Sequence, residues 1–435
     1  MRSVVAIVGR PNVGKSTVFN RLIGDRVSIT DDTPGVTRDR IYGRASWLGR
    51  QFHLIDTGGI EISDAPFLTE IKAQVEIAIE ESEVIVFLTD GKAGLTPDDR
   101  IIMEMLHQSQ KQIIVAVNKT DNVDQIENAY EFYELGAHAV VAVSGAHGIG
   151  IGNLLDEIVN RLPESTDEVY DEETIRLCMI GRPNVGKSSL TNAILGYERV
   201  IVSDVQGTTT DSIDTPFERD GKQYVAVDTA GLRKRGKIFE SLDRYSALRA
   251  MQAIERSDVC LLVIDASTGI LEQDKHIVGY AMDSGKAIIL VVNKWDAIER
   301  DDKTMSEWTK TLRNEFPFLL YVPIAFVSAK QKSRIQTLFP LVDKVAENHR
   351  RRISTSVLNE VVSDAMLFNP PKEHNQKMVK VYYSTQVGIK PPSIVFFVND
   401  DSAMHFSYKR YLENRIRERF DFEGTPLQIT LRKRS

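Results

Sequence analysis

Gly9-Arg10-Pro11-Asn12-Val13-Gly14-Lys15-Ser16 returns letter for letter as Gly181-Arg182-Pro183-Asn184-Val185-Gly186-Lys187-Ser188. Each copy follows an apolar run, Val4–Val8 or Leu177–Ile180, and opens a helical pattern, the context a G-x-x-x-x-G-K-[ST] loop requires. Gly9 and Gly14 let the backbone curl so that successive N–H groups point at a β-phosphate. Lys15 then reaches the β- and γ-oxygens, and Ser16 offers a hydroxyl to Mg2+. Gly181, Gly186, Lys187 and Ser188 are expected to do the same. The loops stand 172 residues apart, and Asp56 and Asp228 keep that spacing. Repetition in register marks a duplicated nucleotide-binding domain.

Working outward, Asp56-Thr57-Gly58-Gly59 and Asp228-Thr229-Ala230-Gly231 each end an apolar strand. The carboxylate is placed to act on Mg2+ and the glycine N–H to meet a γ-phosphate, so this loop senses whether that phosphate is present. Between these motifs lie polar, Gly-containing segments, 32–39 and 207–211, with Thr37 and Thr209 as the residues expected to close on Mg2+ in an order–disorder switch. Lys15, Thr37, Lys187 and Thr209 are the expected catalytic set. Ser16, Thr37 and Asp56 form the expected first Mg2+ site, and Ser188, Thr209 and Asp228 the second.

The base is read by Asn118-Lys119-Thr120-Asp121 and Asn293-Lys294-Trp295-Asp296, both directly after an apolar strand. Guanine presents two adjacent donors, N1–H and the 2-amino group, which one carboxylate accepts together. Adenine lacks that pair and would leave the carboxylate unpaired, a discrimination of about 10⁴-fold. The offset here is 175, so the second copy carries a three-residue insertion. Ser144-Gly145 and Ser328-Ala329-Lys330 are expected to bring a backbone N–H to guanine O6. After each sensor glycine stands Ile60 or Leu232, neither of which can orient water by hydrogen bonding, so intrinsic hydrolysis is expected to be slow. The Asn12 and Asn184 oxygens are candidates to hold a monovalent cation beside the phosphates; a simple loop hydrogen bond is the competing reading.

The surrounding pattern gives the fold class, α/β. In each copy five apolar runs alternate with helical stretches: Val4–Val8, Phe52–Ile55, Val84–Leu88, Ile113–Val117 and Ala139–Val143, then Leu177–Ile180, Tyr224–Val227, Val259–Ile264, Ile288–Val292 and Ile324–Val327. That alternation predicts a mostly parallel sheet with helices on both faces. Residues 163–173 are acidic and nearly free of large apolar side chains, a solvated linker between domains at 1–162 and 174–350. From 351 to 435 the repeat stops. Strands at Val379–Ser384, Ile394–Val398 and Leu427–Leu431 and a basic helix at Ser407–Phe420, with Tyr408, Leu412, Ile416 and Phe420 on one face and Lys409, Arg410, Arg415, Arg417 and Arg419 decorating the rest, predict a small α+β domain. It carries fourteen Lys/Arg against nine Asp/Glu, a net +5 that leaves −12 on the rest of a chain whose total is −7, so a polyanionic partner is expected to meet this domain.

No apolar run approaches bilayer length and no export signal is evident. Cys178 and Cys260 sit in apolar runs and read as buried reduced thiols, which points to the cytoplasm. Two guanine-reading motifs and no evident acceptor pocket disfavour a metabolic P-loop kinase. A GTP-regulated protein-binding module without RNA stays open as the second reading.

With these motifs in place the chain resembles the Der (EngA) family, bacterial tandem GTPases associated with large-subunit ribosome assembly. The doubled G-R-P-N-V-G-K-S and the Asp32-Thr-Pro-Gly-Val-Thr-Arg-Asp39 segment carry the resemblance, which covers essentially the full length. It implies two tandem P-loop G domains followed by a C-terminal domain of KH-like fold, GTP binding and hydrolysis to GDP, Mg2+, and potassium activation through Asn12 and Asn184. It also implies the large ribosomal subunit and ribosomal RNA as partners, with no membrane, no DNA and a monomer off the ribosome. Two departures are visible. Thr210 stands where the family usually has Arg, and the C-terminal domain has only Gly388 and Gly424, far apart, in place of the Gly-x-x-Gly loop of ordinary KH modules.

Overall fold

The computed structural model describes residues 3–23, 42–57, 72, 75–76, 78–79, 82–122, 127–163, 171, 173–196, 200–202, 214–228, 243–299, 301–371, 379–400 and 404–433. The chain divides into two compact units, Met1–Val169 and Tyr170–Ser435.

Unit 1 is a six-stranded sheet. β1 (Ser3–Val8), β4 (Val84–Asp90) and β5 (Gln112–Asn118) are almost wholly buried, as their unbroken Val/Ile/Leu runs require of strands covered on both faces. With β3 (Arg50–Asp56) and β6 (Ala139–Ala142) they pair in parallel, and β2 (Tyr42–Trp47) adds an antiparallel edge, giving the order β2-β3-β1-β4-β5-β6. Helix α1 (Lys15–Ile23) follows β1, α2 (Pro97–His107) crosses from β4 to β5, a 3-10 helix at Glu127–Leu135 crosses from β5 to β6, and α3 (Ile151–Arg161) follows the last strand. Val18, Phe19 and Leu22 of α1 and Leu154, Leu155 and Ile158 of α3 close one core against the sheet.

Unit 2 repeats the plan with β7 (Ile175–Ile180), α4 (Lys187–Leu195), β8 (Val200–Val202), β9 (Thr215–Arg219), β10 (Lys222–Ala226), α5 (Asp243–Arg256), β11 (Val259–Asp265), α6 (Glu272–Asp283), β12 (Ala287–Asn293), α7 (Thr304–Glu315), β13 (Ile324–Phe326) and α8 (Leu338–Arg350). The order is β13-β12-β11-β7-β10-β9-β8, with β8 and β9 antiparallel. The antiparallel strands β2, β8 and β9 are additions to the five expected in each copy. Cys178 and Cys260 face each other on β7 and β11, both fully buried with sulfurs 3.4 Å apart.

After α8 come α9 (Thr355–Phe368), β14 (Val381–Gly388), β15 (Ser393–Val398), α10 (Phe406–Arg419) and β16 (Gln428–Lys433). They form a three-stranded sheet β14-β15-β16, antiparallel then parallel, backed by two helices. Leu412 and Ile416 of the expected basic helix are fully buried and pack with Leu358, Val362 and Ala365 of α9, a helix that the sequence reading did not place. Hydrogen bonds tie this domain to the second sheet: Ile288 N donates to Gly424 O at 2.7 Å, Gly424 N to Tyr321 O at 2.8 Å, and His349 Nδ1 stands 2.6 Å from Thr425 Oγ1. One expectation is corrected here. Arg417 does not decorate the solvent face of its helix: its guanidinium lies 4.1 Å over the Tyr321 ring and donates to the carbonyls of Phe422 and Thr425. No described helix is long and apolar enough to cross a membrane.

Candidate functional site

Both phosphate loops fold alike because they bridge the same two elements, a buried parallel strand and the N-terminus of a helix. Asn12 and Asn184 turn each loop at φ 65 and 63, and Gly14 and Gly186 follow at φ 94 and 96, a region that costs a side chain about 1–2 kcal/mol. A Cβ on Gly14 would stand 2.5 Å from Asn118 Nδ2, and on Gly186 2.3 Å from Asn293 Nδ2, so glycine also makes room for the neighbouring motif. Lys15 Nζ donates to Gly9 O (2.6 Å) and Arg10 O (2.9 Å), and Lys187 Nζ to Gly181 O and Arg182 O (both 2.6 Å). Each ammonium is therefore held across the mouth of its own loop. The first helical turn lies behind it.

The expected base-reading motifs reach the same loops from the ends of β5 and β12. Asn118 Nδ2 donates to Val13 O (2.7 Å) while its oxygen accepts from Gly145 N (2.9 Å). Asn293 does the same with Val185 O (3.0 Å) and Ala329 N (3.0 Å). Each asparagine thus clamps the phosphate loop to the Ser144 or Ser328 loop. Asp121 accepts from Ser144 Oγ (2.8 Å) and from Lys92 Nζ (2.6 Å), which hold its carboxyl below the usual carboxylate range. Asp296 accepts from Ser328 Oγ (2.5 Å). Thr120 turns inward, its hydroxyl on Val143 O, and Trp295 is buried against Phe326 and Trp308.

Two repeated pairs were missed in the sequence although both recur, the lysine pair at the 175-residue offset and the arginine pair with its arginines 172 and its aspartates 175 residues apart. Lys119 Nζ meets Asp90 Oδ2 and Lys294 Nζ meets Asp265 Oδ2, both at 2.6 Å, which aligns each lysine stem across the pocket. Burial alone would push these two carboxyls up, but the lysines outweigh it and hold both low. Arg10 donates to both oxygens of Asp99 (2.8 and 3.2 Å), and Arg182 Nε to Asp274 (2.9 Å) with Gly269 O and Thr268 Oγ1 on its other end. Asp99 and Asp274 are fully buried, so the arginine of each G-R-P-N sequence ties its loop to the next crossover helix. Arg10 and Arg182 were expected, with the rest of each loop, among the nucleotide contacts, but their side chains are committed to these carboxylates.

At the expected Mg2+ corner the two copies differ. Asp56 closes β3 opposite Ile7, and Ser16 Oγ donates to its Oδ2 at 2.8 Å, so two oxygen ligands meet at one point. Asp228 lies beyond the end of β10 at φ 60, with its amide donating to Asp214 Oδ1 (3.1 Å), and Asp214 is paired with Arg256. Ser188 is the second residue of α4. Pro11, Asn12 and Asn184 are exposed on the loops, Pro183 half-buried, and Lys330 exposed beside Ala329. Thr37, Gly58, Gly59, Thr209, Thr229, Ala230, Gly231, Ile60, Leu232 and Thr210 lie outside the described residues.

Comparison with known proteins agrees with this duplicated geometry. A family model described as 50S ribosome-binding GTPase matches residues 4–119 and again 176–294, and one described as the KH-domain-like C-terminal domain of EngA bacterial GTPase enzymes matches 352–432. GTPase Der of Geobacillus kaustophilus is 58% identical over 431 residues, covering 99% of each chain. GTPase Der of Listeria monocytogenes is 56% identical over 433 residues, covering 100% of this chain and 99% of the relative. Among solved structures, the FeoB G-domain from Methanococcus jannaschii is 27% identical over 37% of this chain and 98% of its own, with a TM-score of 0.28. With a GTPase model matched twice, a KH-like model of EngA enzymes matched at 352–432 and GTPase Der relatives aligned over nearly its whole length, the chain belongs to the Der (EngA) family of GTPases.

Proposed function

We propose that this GTPase is a two-site switch in assembly of the large ribosomal subunit, each G domain reporting the state of its own nucleotide and the C-terminal domain contributing the contact to ribosomal RNA. The observation that carries the reading is the double clamp of Asn118 and Asn293, which joins phosphate loop to base loop in both copies of a chain whose residues 351–435 carry a net +5. A family model named for 50S ribosome binding supports the choice of partner.

In this reading Asp121 and Asp296 accept N1–H and the 2-amino group of guanine. Since Gly145 N and Ala329 N are given to the asparagines, O6 falls to the next amides, those of Ala146 and Lys330. Lys15 and Lys187 leave the loop carbonyls for the β- and γ-phosphate oxygens. Ser16 with Asp56, and Ser188 with Asp228, offer the hard oxygen ligands that suit Mg2+, and Thr37 and Thr209 complete each set when the γ-phosphate is present. When bound, Mg2+ neutralises charge between the β- and γ-phosphates. Asn12 and Asn184, exposed at the turn of each loop, are placed to offer an oxygen to K+ beside the phosphates. The boundaries 1–162, 163–173, 174–350 and 351–435, a cytoplasmic location and a monomeric state off the ribosome belong to the same proposal.

Pelleting the full chain with ribosomal particles in GTP, GDP and a non-hydrolysable analogue tests the switch: binding is expected to change with the nucleotide. Equal pelleting in all three sinks it. Base reading is tested by Asp121→Asn with Asp296→Asn, which should move preference from guanine to xanthine nucleotides.

A further inference from the structure

Two copies of one site in one chain allow each position to be compared with its own counterpart. Through the base-reading region the offset is 175, pairing Asp90 with Asp265, Lys119 with Lys294 and Asp121 with Asp296. By the same offset Lys92 corresponds to Ser267. The ammonium of Lys92 stands 2.6 Å from Asp121 Oδ2 while Ser144 Oγ donates to Oδ1, so both carboxylate oxygens already hold a donor. In unit 2 the shorter Ser267 turns back on its own strand end, its hydroxyl and amide on Asp265 Oδ1 at 2.6 and 2.8 Å.

We infer that Lys92 is an internal competitor for the guanine-reading carboxylate of the first site, and that Ser267 relieves the second site of that competitor. The inference rests on Asp121 being the guanine acceptor. Guanine N1–H and the 2-amino group need both carboxylate oxygens, and the ammonium already holds Oδ2, so nucleotide binding at the first site competes with Lys92 for that oxygen. Lys119 cannot substitute for it, because Asp90 holds that ammonium. Lys92 is half exposed (52%) and its release costs little, which limits the effect to about two- to fivefold in affinity. Such a pair is also screened by salt, unlike a packing effect. The affinity of the first site is therefore set in part by one side chain outside its motifs, at a position where the second copy carries Ser267.

The test uses the full chain with Lys187→Ala, which silences the second site, and follows GDP binding by calorimetry. Lys92→Ala and Lys92→Ser are expected to tighten binding about two- to fivefold, with Lys92→Arg close to the parent. The gain should shrink between about 50 mM and about 500 mM salt. In a Lys15→Ala background, Ser267→Lys should loosen GDP at the second site by a similar factor. Unchanged or weaker binding in Lys92→Ala overturns the inference, as does a gain that ignores salt. Asp121→Asn in the first background is the separate control: if GDP binding survives that change, the guanine assignment itself has failed.

Discussion

Replacing Asp258 by Asn removes a carboxylate that joins the second sheet to the KH-like domain. Asp258 accepts from the Arg176 amide (3.1 Å), Nε (3.2 Å) and Nη2 (3.1 Å), and its Oδ1 lies 3.2 Å from Lys390 Nζ in the turn before β15. Burial by itself would push this carboxyl up. The Arg176 guanidinium, helped by Lys390, outweighs it and brings the pKa from 3.8 down to about 2. A shift of roughly two units corresponds to about 2 kcal/mol of stability when the group is ionised. Because the folded-state value is the lower one, that stability is fully present above the unfolded pKa near 4 and is lost as pH falls through about 2. Asp258→Asn should thus cost about 2 kcal/mol at pH 7 and only about 1 kcal/mol at pH 3. A chain of several domains need not unfold in one step, so hydrogen exchange at the amides of β7, β11 and β15 is the suitable readout. A cost that stays the same at pH 3 and pH 7 refutes the assignment of this carboxylate as the tie.

Gly14→Ala and Gly186→Ala should each weaken GTP at their own site by at least about tenfold, since φ near 95 and the close asparagine amide both resist a Cβ; calorimetry on each variant checks this. Exchanging sodium for potassium at constant ionic strength should raise GTP hydrolysis on the order of tenfold, a cation serving where Ile60 and Leu232 cannot, with Asn12→Ala and Asn184→Ala each removing part of the gain. Equal rates in the two salts would exclude it. Arg417→Ala should destabilise unit 2 by about 2 kcal/mol in denaturant unfolding, whereas the exposed Arg419→Ala stays within about 0.5 kcal/mol. Ribosome pelleting across a salt series should respond in the opposite order, Arg419→Ala losing affinity and salt slope as a phosphate-contacting charge does.

Much of this protein is local and therefore legible in its sequence. A phosphate loop needs glycines, one lysine and one hydroxyl within eight residues, and a buried parallel strand needs an unbroken apolar run, so the loops, the base-reading motifs and the five-strand repeat stand out unaided. The doubling made each weak motif decisive by giving it a counterpart at a fixed distance. The antiparallel additions were harder: β2 and β9 mix polar and apolar residues, and their signal lay in the Leu48-Gly49 and Asp220-Gly221 turns. Helix α9 was missed although Leu358, Val362 and Ala365 keep helical spacing, since an amphipathic stripe says little until a facing element is known. Pairings between distant residues were beyond the sequence altogether. Arg10 reads as a motif letter until Asp99, eighty-nine positions later, is brought under it. Arg417 reads as a surface charge until Tyr321 and the carbonyls of the next turn enclose it. Lys92 reads as a loop lysine until the ends of β4 and β5 set it on Asp121. Type and spacing determine which groups a chain owns, while only the packing of its strands and helices decides which of them meet, because a contact energy depends on a distance that sequence separation does not fix.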